Sequence, residues 1–306
     1  LPEPQIRPYR PEDAELAVPL FRALIPGEVQ TAPAIRHWIA SQPDRAGMRA
    51  WAAVAGSTLV GWANTRLRWA IEETDVAGGW VGVLPEYRRS GLGSRLYELA
   101  EEHARSLGAR RFTSFTVEAS DDGRAFARHR GFEEGRREQY WELDVATAAL
   151  RHAPPPPGAE LVRLRALIDR ERELFELYDA AHSDMPGDET WRLDFEDWLP
   201  ETLGDPTLDL DSSAIVLVDD RPVAFSWLLT DREGGVGENE LTGTLREFRR
   251  RGLARLAKEQ AIRWAGEAGL HTLFTSNDAL NADMLALNEH LGYRPTHVQL
   301  QLAKDL

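Results

Sequence analysis

Two hydrophobic periods alternate along this chain. Apolar-rich runs predict strands over Arg49 to Ala55 and Thr58 to Arg68, on either side of a Gly56-Ser57 turn. A helical period governs Leu92 to Leu107. There Leu92, Leu96, Leu99, Ala100 and Leu107 share one face, Arg95, Glu98, Glu102 and Arg105 lie off it, and Gly108 supplies a C-cap. The same reading predicts strands over Ile6 to Tyr9, Trp80 to Leu84, Phe112 to Val117 and Tyr140 to Val145. Helices are predicted over Pro11 to Leu24, Ala34 to Ala40 and Gly123 to Arg130.

The second half repeats this order. A strand at Leu161 to Arg165 precedes helices that run through Leu203. Paired strands at Ala214 to Val218 and Val223 to Leu229 flank Asp219 to Pro222. Glu240 to Thr244, Thr272 to Thr275 and Val298 to Leu302 are further strands, and Leu253 to Ala265 and Ala282 to Leu291 are helices. Strands mixed with helices in this way predict an α/β class, with a mixed (α+β) sheet and helices packed on its faces.

The repeat is also literal. Arg88-Arg89-Ser90-Gly91-Leu92-Gly93 returns 161 positions later as Arg249-Arg250-Arg251-Gly252-Leu253-Ala254. The same offset pairs Glu98 with Glu259, Gly108 with Gly269, His129 with His290 and Gly131 with Gly292. The chain therefore reads as two copies of one domain, 1–152 and 158–306. They are joined at 153–157 by Ala153-Pro154-Pro155-Pro156-Pro157, where proline blocks helix and ladder alike.

Composition narrows the chemistry. A formal charge of −14 argues against nucleic acid and anionic membranes as partners. With no cysteine there is no disulfide, thiolate metal site or Cys nucleophile. No apolar run is long enough to span a bilayer, and Leu1-Pro2-Glu3-Pro4 has no secretory pattern, so a cytoplasmic location is expected. The histidines are scattered without ligand spacing, so no metal is expected. Lysine occurs only at Lys258 and Lys304, a bias consistent with a GC-rich genome.

Each arginine-rich loop stands between a strand and a helix. Glycine permits a tight turn and close approach to the amides. The first helical amides lack internal partners and carry a partial positive charge, so phosphate is a natural occupant. Arginines strengthen the attraction. A glycine-capped turn with solvated arginines is the bland alternative, and its repetition in identical context weighs against it. Neither copy has Rossmann or Walker spacing.

Val83-Leu84-Pro85-Glu86-Tyr87-Arg88-Arg89-Ser90-Gly91-Leu92-Gly93 resembles the acetyl-CoA loop of GNAT-type N-acetyltransferases. Ala127-Arg128-His129-Arg130-Gly131-Phe132 resembles that family's closing signature. Thr244 to Ala254 and Asn288-Glu289-His290-Leu291-Gly292-Tyr293 repeat both. The resemblance implies two tandem GNAT acyl-CoA N-acyltransferase domains, with acetyl-CoA as co-substrate and direct transfer to an amine. It implies pantetheine contacts from Val81, Gly82 and Val83 and from Thr242, Gly243 and Thr244. It also implies pyrophosphate contacts from Arg88, Arg89, Ser90, Gly91, Leu92, Gly93 and Ser94, and from Arg249, Arg250, Arg251, Gly252, Leu253, Ala254 and Arg255. The family's tyrosine, which protonates the leaving thiolate, is absent: its positions are Asn288 and Ala127.

The halves differ in candidate catalytic groups. Glu240, with Glu238 as fallback, is the candidate base, since a carboxylate can deprotonate an attacking amine. Strand alternation places both on one face with Thr242 and Thr244. The matching positions of the first half are Ala77 and Gly79. Solvated turn acids are the alternative. Asn277, Asn281 and Asn288 are candidate CoA contacts. Asn281 also fits a helix N-cap, and Asn288 needs a partner, either CoA or a backbone carbonyl. Trp191 and Trp198 with Asp184, Asp188, Asp194, Glu196 and Asp197 form either an aromatic-acidic pocket for an amine or, the preferred reading, a surface-capping helix pair.

The expected protein is a tandem N-acetyltransferase acting on a small-molecule primary amine. Its second domain is active, its first is degenerate or structural, and it is a monomer or homodimer. A non-catalytic acyl-CoA binding or sensing protein is the alternative, and an acyl-CoA hydrolase a third.

Overall fold

The computed structural model describes residues 1–151, 154–185 and 190–306. Asp188 and Ala153 lie outside the described residues. By its contacts the chain separates into two compact units. The first comprises Leu1–Pro26, Gln30–Arg137 and Val298–Leu306, and the second Gly27–Val29 and Glu138–His297. The division therefore falls after Arg137 and not at the proline run, and the end of the chain returns to the first unit.

In the first unit, β1 (Gln5–Pro8), α1 (Ala14–Leu24) and α2 (Ala32–Ala40) precede β2 (Arg49–Ala55), β3 (Thr58–Leu67) and β4 (Val76–Val83). Then come α3 (Leu92–Ser106), β5 (Arg111–Val117) and α4 (Asp121–His129). β6 (Glu133–Asp144) leads out of this unit. The second unit contains β7 (Ala159–Arg163), α5 (Glu171–His182), α6 (Phe195–Trp198), β8 (Ala214–Val218), β9 (Arg221–Asp231) and β10 (Val236–Thr244). It continues with α7 (Leu253–Glu267), β11 (Thr272–Asp278) and α8 (Ala282–Leu291), and the chain ends on β12 (Arg294–Asp305).

The first unit's sheet has the order β1-β2-β3-β4-β5-β12, and the second's β6-β11-β10-β9-β8-β7. Local pattern had assigned each closing strand to its own half. Instead the last strand of the chain pairs with β5, from Gln299↔Val117 to Asp305↔Arg111. The second unit is closed by the end of β6, which pairs with β11 from Thr272↔Asp144 to Asp278↔Glu138.

Burial explains why the elements hold. On one face of the first sheet, Leu96, Tyr97 and Ala100 of α3 pack against Phe112, Phe132 and Leu302. On the other, Leu20 and Phe21 of α1 and Ile35 of α2 pack on Leu59 and Trp62. Trp198, Trp227 and Phe225 are fully buried in the second core. Each such side chain contributes roughly 1.5–3 kcal/mol on leaving water. β12 is also fixed by charge, since Lys304 Nζ donates to Tyr97 Oη at 2.9 Å and to Glu101 Oε1 at 2.7 Å.

Candidate functional site

Each unit contains a pair of parallel strands that part. β4 and β5 pair only from Val76↔Arg111 to Gly78↔Thr113, and β10 and β11 only from Val236↔Thr272 to Asn239↔Thr275. Beyond each parting the arginine-rich loop has one backbone form. Arg89 and Gly91 have φ of 60° and 82°, and Arg250 and Gly252 have φ of 61° and 77°. The flanking contact also repeats: Arg88 Nε donates to Val83 O at 3.0 Å, and Arg249 Nε to Thr244 O at 3.1 Å. Left-handed residues in such a loop turn successive amides toward one concavity at the start of α3 or α7. A Cβ built on Gly91 or Gly252 meets nothing within 4 Å, so both cradles face open space. Leu92 and Leu253 send their side chains into the cores, leaving their backbone to the loop.

In the first unit the parting forms a cleft of about 400 Å³. Val81, Gly82 and Val83 line it together with Arg88, Arg89, Gly91, Gly93 and Ser94. Ser90 instead turns its hydroxyl back to Tyr87 O at 2.7 Å. A Cβ on Gly93 would stand 3.3 Å from Phe126 Cε2, so the glycine keeps the floor of the cleft low. In the second unit, Thr244 Oγ1 and Arg255 Nη2 beside the loop are buried with no hydrogen-bond partner among the described residues. An unmet hydroxyl and an unmet guanidinium N–H fit the amide and phosphate groups of a CoA chain. Arg251 Nη2 donates to Glu247 O at 3.2 Å, and Ala254 occupies the position of Gly93.

β10 departs from simple alternation. Its register against β9 slips between Asn239 and Thr242, a β-bulge absent from the β3–β4 ladder. Asn239 Nδ2 donates to Ser226 Oγ at 3.0 Å, and Ser226 Oγ lies 2.9 Å from Thr242 Oγ1. Thr242 therefore shares a face with Asn239. This corrects the expectation that Glu238, Glu240, Thr242 and Thr244 form one row, because an extra residue inverts the side-chain parity.

Glu240 accepts a hydrogen bond from Tyr178 Oη at 3.2 Å. Solvent reaches its side chain although dense protein surrounds it, as for a group lining a deep recess. That crowding pushes its pKa up to about 7, assisted by repulsion from Glu201 and Asp205 and opposed by the Tyr178 bond. Glu238 accepts from the Val29 amide at 2.9 Å. The surrounding protein, and then the charge of Glu28, hold its carboxyl well above the usual range. Glu240 thus follows the last β10–β11 pair, Asn239↔Thr275, whereas Glu238 is still paired within that ladder, and of the two Glu240 alone is held near neutrality.

The asparagines divide. Asn281 Oδ1 accepts from the Met284 amide at 3.4 Å and caps α8. Asn288 is fully buried, accepts from Lys258 Nζ at 2.8 Å and donates to Asn277 Oδ1 at 2.6 Å. Asn288 is therefore sealed in the core and does not contact a ligand directly, which corrects its assignment. Its partner is neither CoA nor a backbone carbonyl. Lys258 is buried with no carboxylate paired to it among the described residues, and loss of hydration lowers its pKa to about 7. Nothing in the local pattern marks Lys258 except the scarcity of lysine. Tyr178 was likewise hidden in the core-facing stripe of its helix.

Trp198 packs against Phe175 at 5.3 Å and Tyr178 at 5.7 Å and is wholly buried. Asp184 is paired with Arg246 and Arg249. Trp198 thus belongs to the core and Asp184 is held by two arginines, so neither is free to line an open aromatic-acidic pocket. Trp191 lies edge-on to His182 at 4.0 Å. Among the described residues, no group of three His, Asp or Glu side chains is placed to hold a metal, and no helix is long and apolar enough to cross a membrane.

The sequence profile of the acetyltransferase (GNAT) family matches the chain twice, over residues 15–132 and 171–293. A GCN5-related N-acetyltransferase from Sphaerobacter thermophilus is similar in structure. It is 18% identical, with a TM-score of 0.73, covering 99% of this chain and 95% of that one. A tandem GNAT protein from the clavulanic acid biosynthesis pathway, solved without AcCoA, is also 18% identical, with a TM-score of 0.75 and coverage of 99% and 98%. A putative acetyltransferase from Pyrococcus horikoshii is 15% identical, with a TM-score of 0.60 and coverage of 100% and 90%. No curated protein matches the sequence.

Proposed function

The chain belongs to the acetyltransferase (GNAT) family, whose domain it carries twice, and from that premise we propose that its second unit transfers an acetyl group from acetyl-CoA to a primary amine. The observation that carries this reading is Glu240: a solvent-reachable carboxyl at the strand parting, held near pKa 7 and bonded to Tyr178. A general base works best when its pKa lies near the operating pH.

In this reading the loop amides from Arg250 to Arg255 receive the pyrophosphate. Thr244 Oγ1 and Arg255 Nη2 gain the partners they lack. The β10 bulge frees backbone groups from the ladder beside the reacting carbonyl. Glu240 takes one proton from the ammonium of the acceptor and passes it to water. The amine nitrogen then forms a bond to the thioester carbon, and the C–S bond breaks. The second nitrogen proton reaches the departing thiolate through solvent, which suffices for a thiol of pKa about 8.5. The first unit keeps the cradle, but its equivalent strand, β4, carries no carboxylate.

Release of free CoA from acetyl-CoA, followed with and without a panel of small primary amines, tests the reading. Amine-dependent release with a matching acetamide product is expected. Release without any amine would mark a hydrolase, and tight acetyl-CoA binding with no release at all would mark a binding protein.

A further inference from the structure

The first unit's cleft has a feature with no counterpart in the second. Where β4 and β5 part, Trp80 of β4 and Phe115 of β5 face each other across the gap. Their rings stack 6.0 Å apart and 8° from parallel. Phe21 of α1 meets Trp80 edge-on at 5.7 Å. The indole fills the space beside Gly82: a Cβ there would come within 2.3 Å of Trp80 Cη2 and 2.9 Å of Leu24 Cδ1. The parting is therefore bridged on the α1 face by an aromatic pair backed by a helix. On the other side the cleft stays open toward Gly91, Gly93 and Phe126.

In the second unit the positions 161 later are Leu241 and Ser276, and no ring pair spans that gap. Ser276 Oγ donates to Glu138 Oε1 at 2.6 Å. The face packed by α5, the counterpart of α1, carries Glu240 and Tyr178 at the parting. One unit thus presents a solvent-reachable base where the other presents an indole.

We propose that the first unit's cleft is a protected holding site for a CoA thioester, in which the Trp80–Phe115 bridge shields the thioester from amines and other nucleophiles. This rests on the proposal that the cradles bind CoA. It goes further in assigning the two units opposite roles, one consuming the thioester and one keeping it. A thioester enters from the loop side, where amides and arginines meet its phosphates, and its acyl end stops against the aromatic pair. A nucleophile approaching from the α1 face meets Trp80, Phe115, Leu24 and Phe21 in place of the carbonyl.

Hydroxylamine consumes thioesters without a catalyst and so reports their exposure. The full chain carrying Gly252→Asp, which sets a carboxylate at the second cradle, leaves the first site for acetyl-CoA. Calorimetry establishes that one equivalent binds. With protein in excess, loss of the thioester to hydroxylamine is expected to be at least about tenfold slower than for free acetyl-CoA, as for other water-excluding sites. Trp80→Ala added to that background should bring the rate within about twofold of the free value. Phe115→Leu, a milder change, should move it in the same direction. Circular dichroism checks folding, and acetyl-CoA affinity should stay within about threefold if the bridge shields and does not bind. Failure to bind, loss as fast as in free solution despite binding, or full protection in both variants would overturn the holding site. None of these outcomes touches Glu240, whose failure appears as undiminished turnover of Glu240→Gln.

Discussion

Tyr178 Oη lies 3.2 Å from Glu240 Oε1 and donates to it, joining α5 to β10 at the point where the strand leaves its parallel partner. The bond stabilises the carboxylate form and restrains a pKa that the surrounding protein has raised to about 7. Tyr178→Phe removes that restraint while keeping the ring in the core. The rise of kcat/KM with pH should shift upward, by about one unit, with little change well above the inflection. An unmoved profile would separate Tyr178 from the base.

Lys258 is buried, and among the described residues no carboxylate pairs with it. Its pKa is about 7 in the folded chain against an ordinary 10.5. Between these values the unfolded chain holds a proton that the folded chain lacks, so stability rises with pH through that window. From pH 7 to 9 the wild-type protein should gain about 2 kcal/mol more than Lys258→Met. Urea midpoints of the two proteins at both pH values measure this, and parallel changes would refute the buried ammonium.

Leu302 of the returning strand is 4% exposed and packs in the core of the first unit. Leu302→Ala should cost about 2–5 kcal/mol. Hydrogen exchange should speed up in β5, whose amides pair with β12. If only the last residues exchange faster, β12 is an appendage and not part of the core.

The two cradles offer a comparison within one molecule. Aspartate tolerates the left-handed backbone of Gly91 and Gly252 and sets a negative charge where phosphate would lie. Each substitution should remove one acetyl-CoA binding event in calorimetry. Gly252→Asp should lower turnover at least about tenfold more than Gly91→Asp, as expected if the catalytic thioester sits in the second unit. The reverse order would assign the chemistry to the first.

Local pattern carried the architecture a long way. The loops announced by Arg88 to Gly93 and Arg249 to Ala254 share one backbone form, down to the left-handed Arg89 and Arg250. Boundaries such as Ala282–Leu291 for α8 fall where periodicity and capping place them. What stayed hidden depends on contacts distant in sequence. The stretch around Val298 to Leu302 reads as a strand, but nothing in it says that it closes the first sheet. The bulge after Asn239 moved Thr242 to the opposite face from the one alternation predicts. Asn288 looked available for a ligand until Lys258, thirty positions earlier and on another helix, took its oxygen. Trp80 and Phe115 each look like ordinary strand residues, and only the parting of β4 and β5 makes their pairing consequential.

The most direct test is the turnover of Glu240→Gln with an accepted amine, measured beside its acetyl-CoA affinity. Glutamine keeps the shape of the side chain and can still accept from Tyr178, but it cannot take a proton. A fall in kcat of roughly 10²–10⁴-fold is expected, with acetyl-CoA binding unchanged and no recovery as the pH is raised through 7. A rate close to that of the wild type would contradict it and send the search for the base elsewhere.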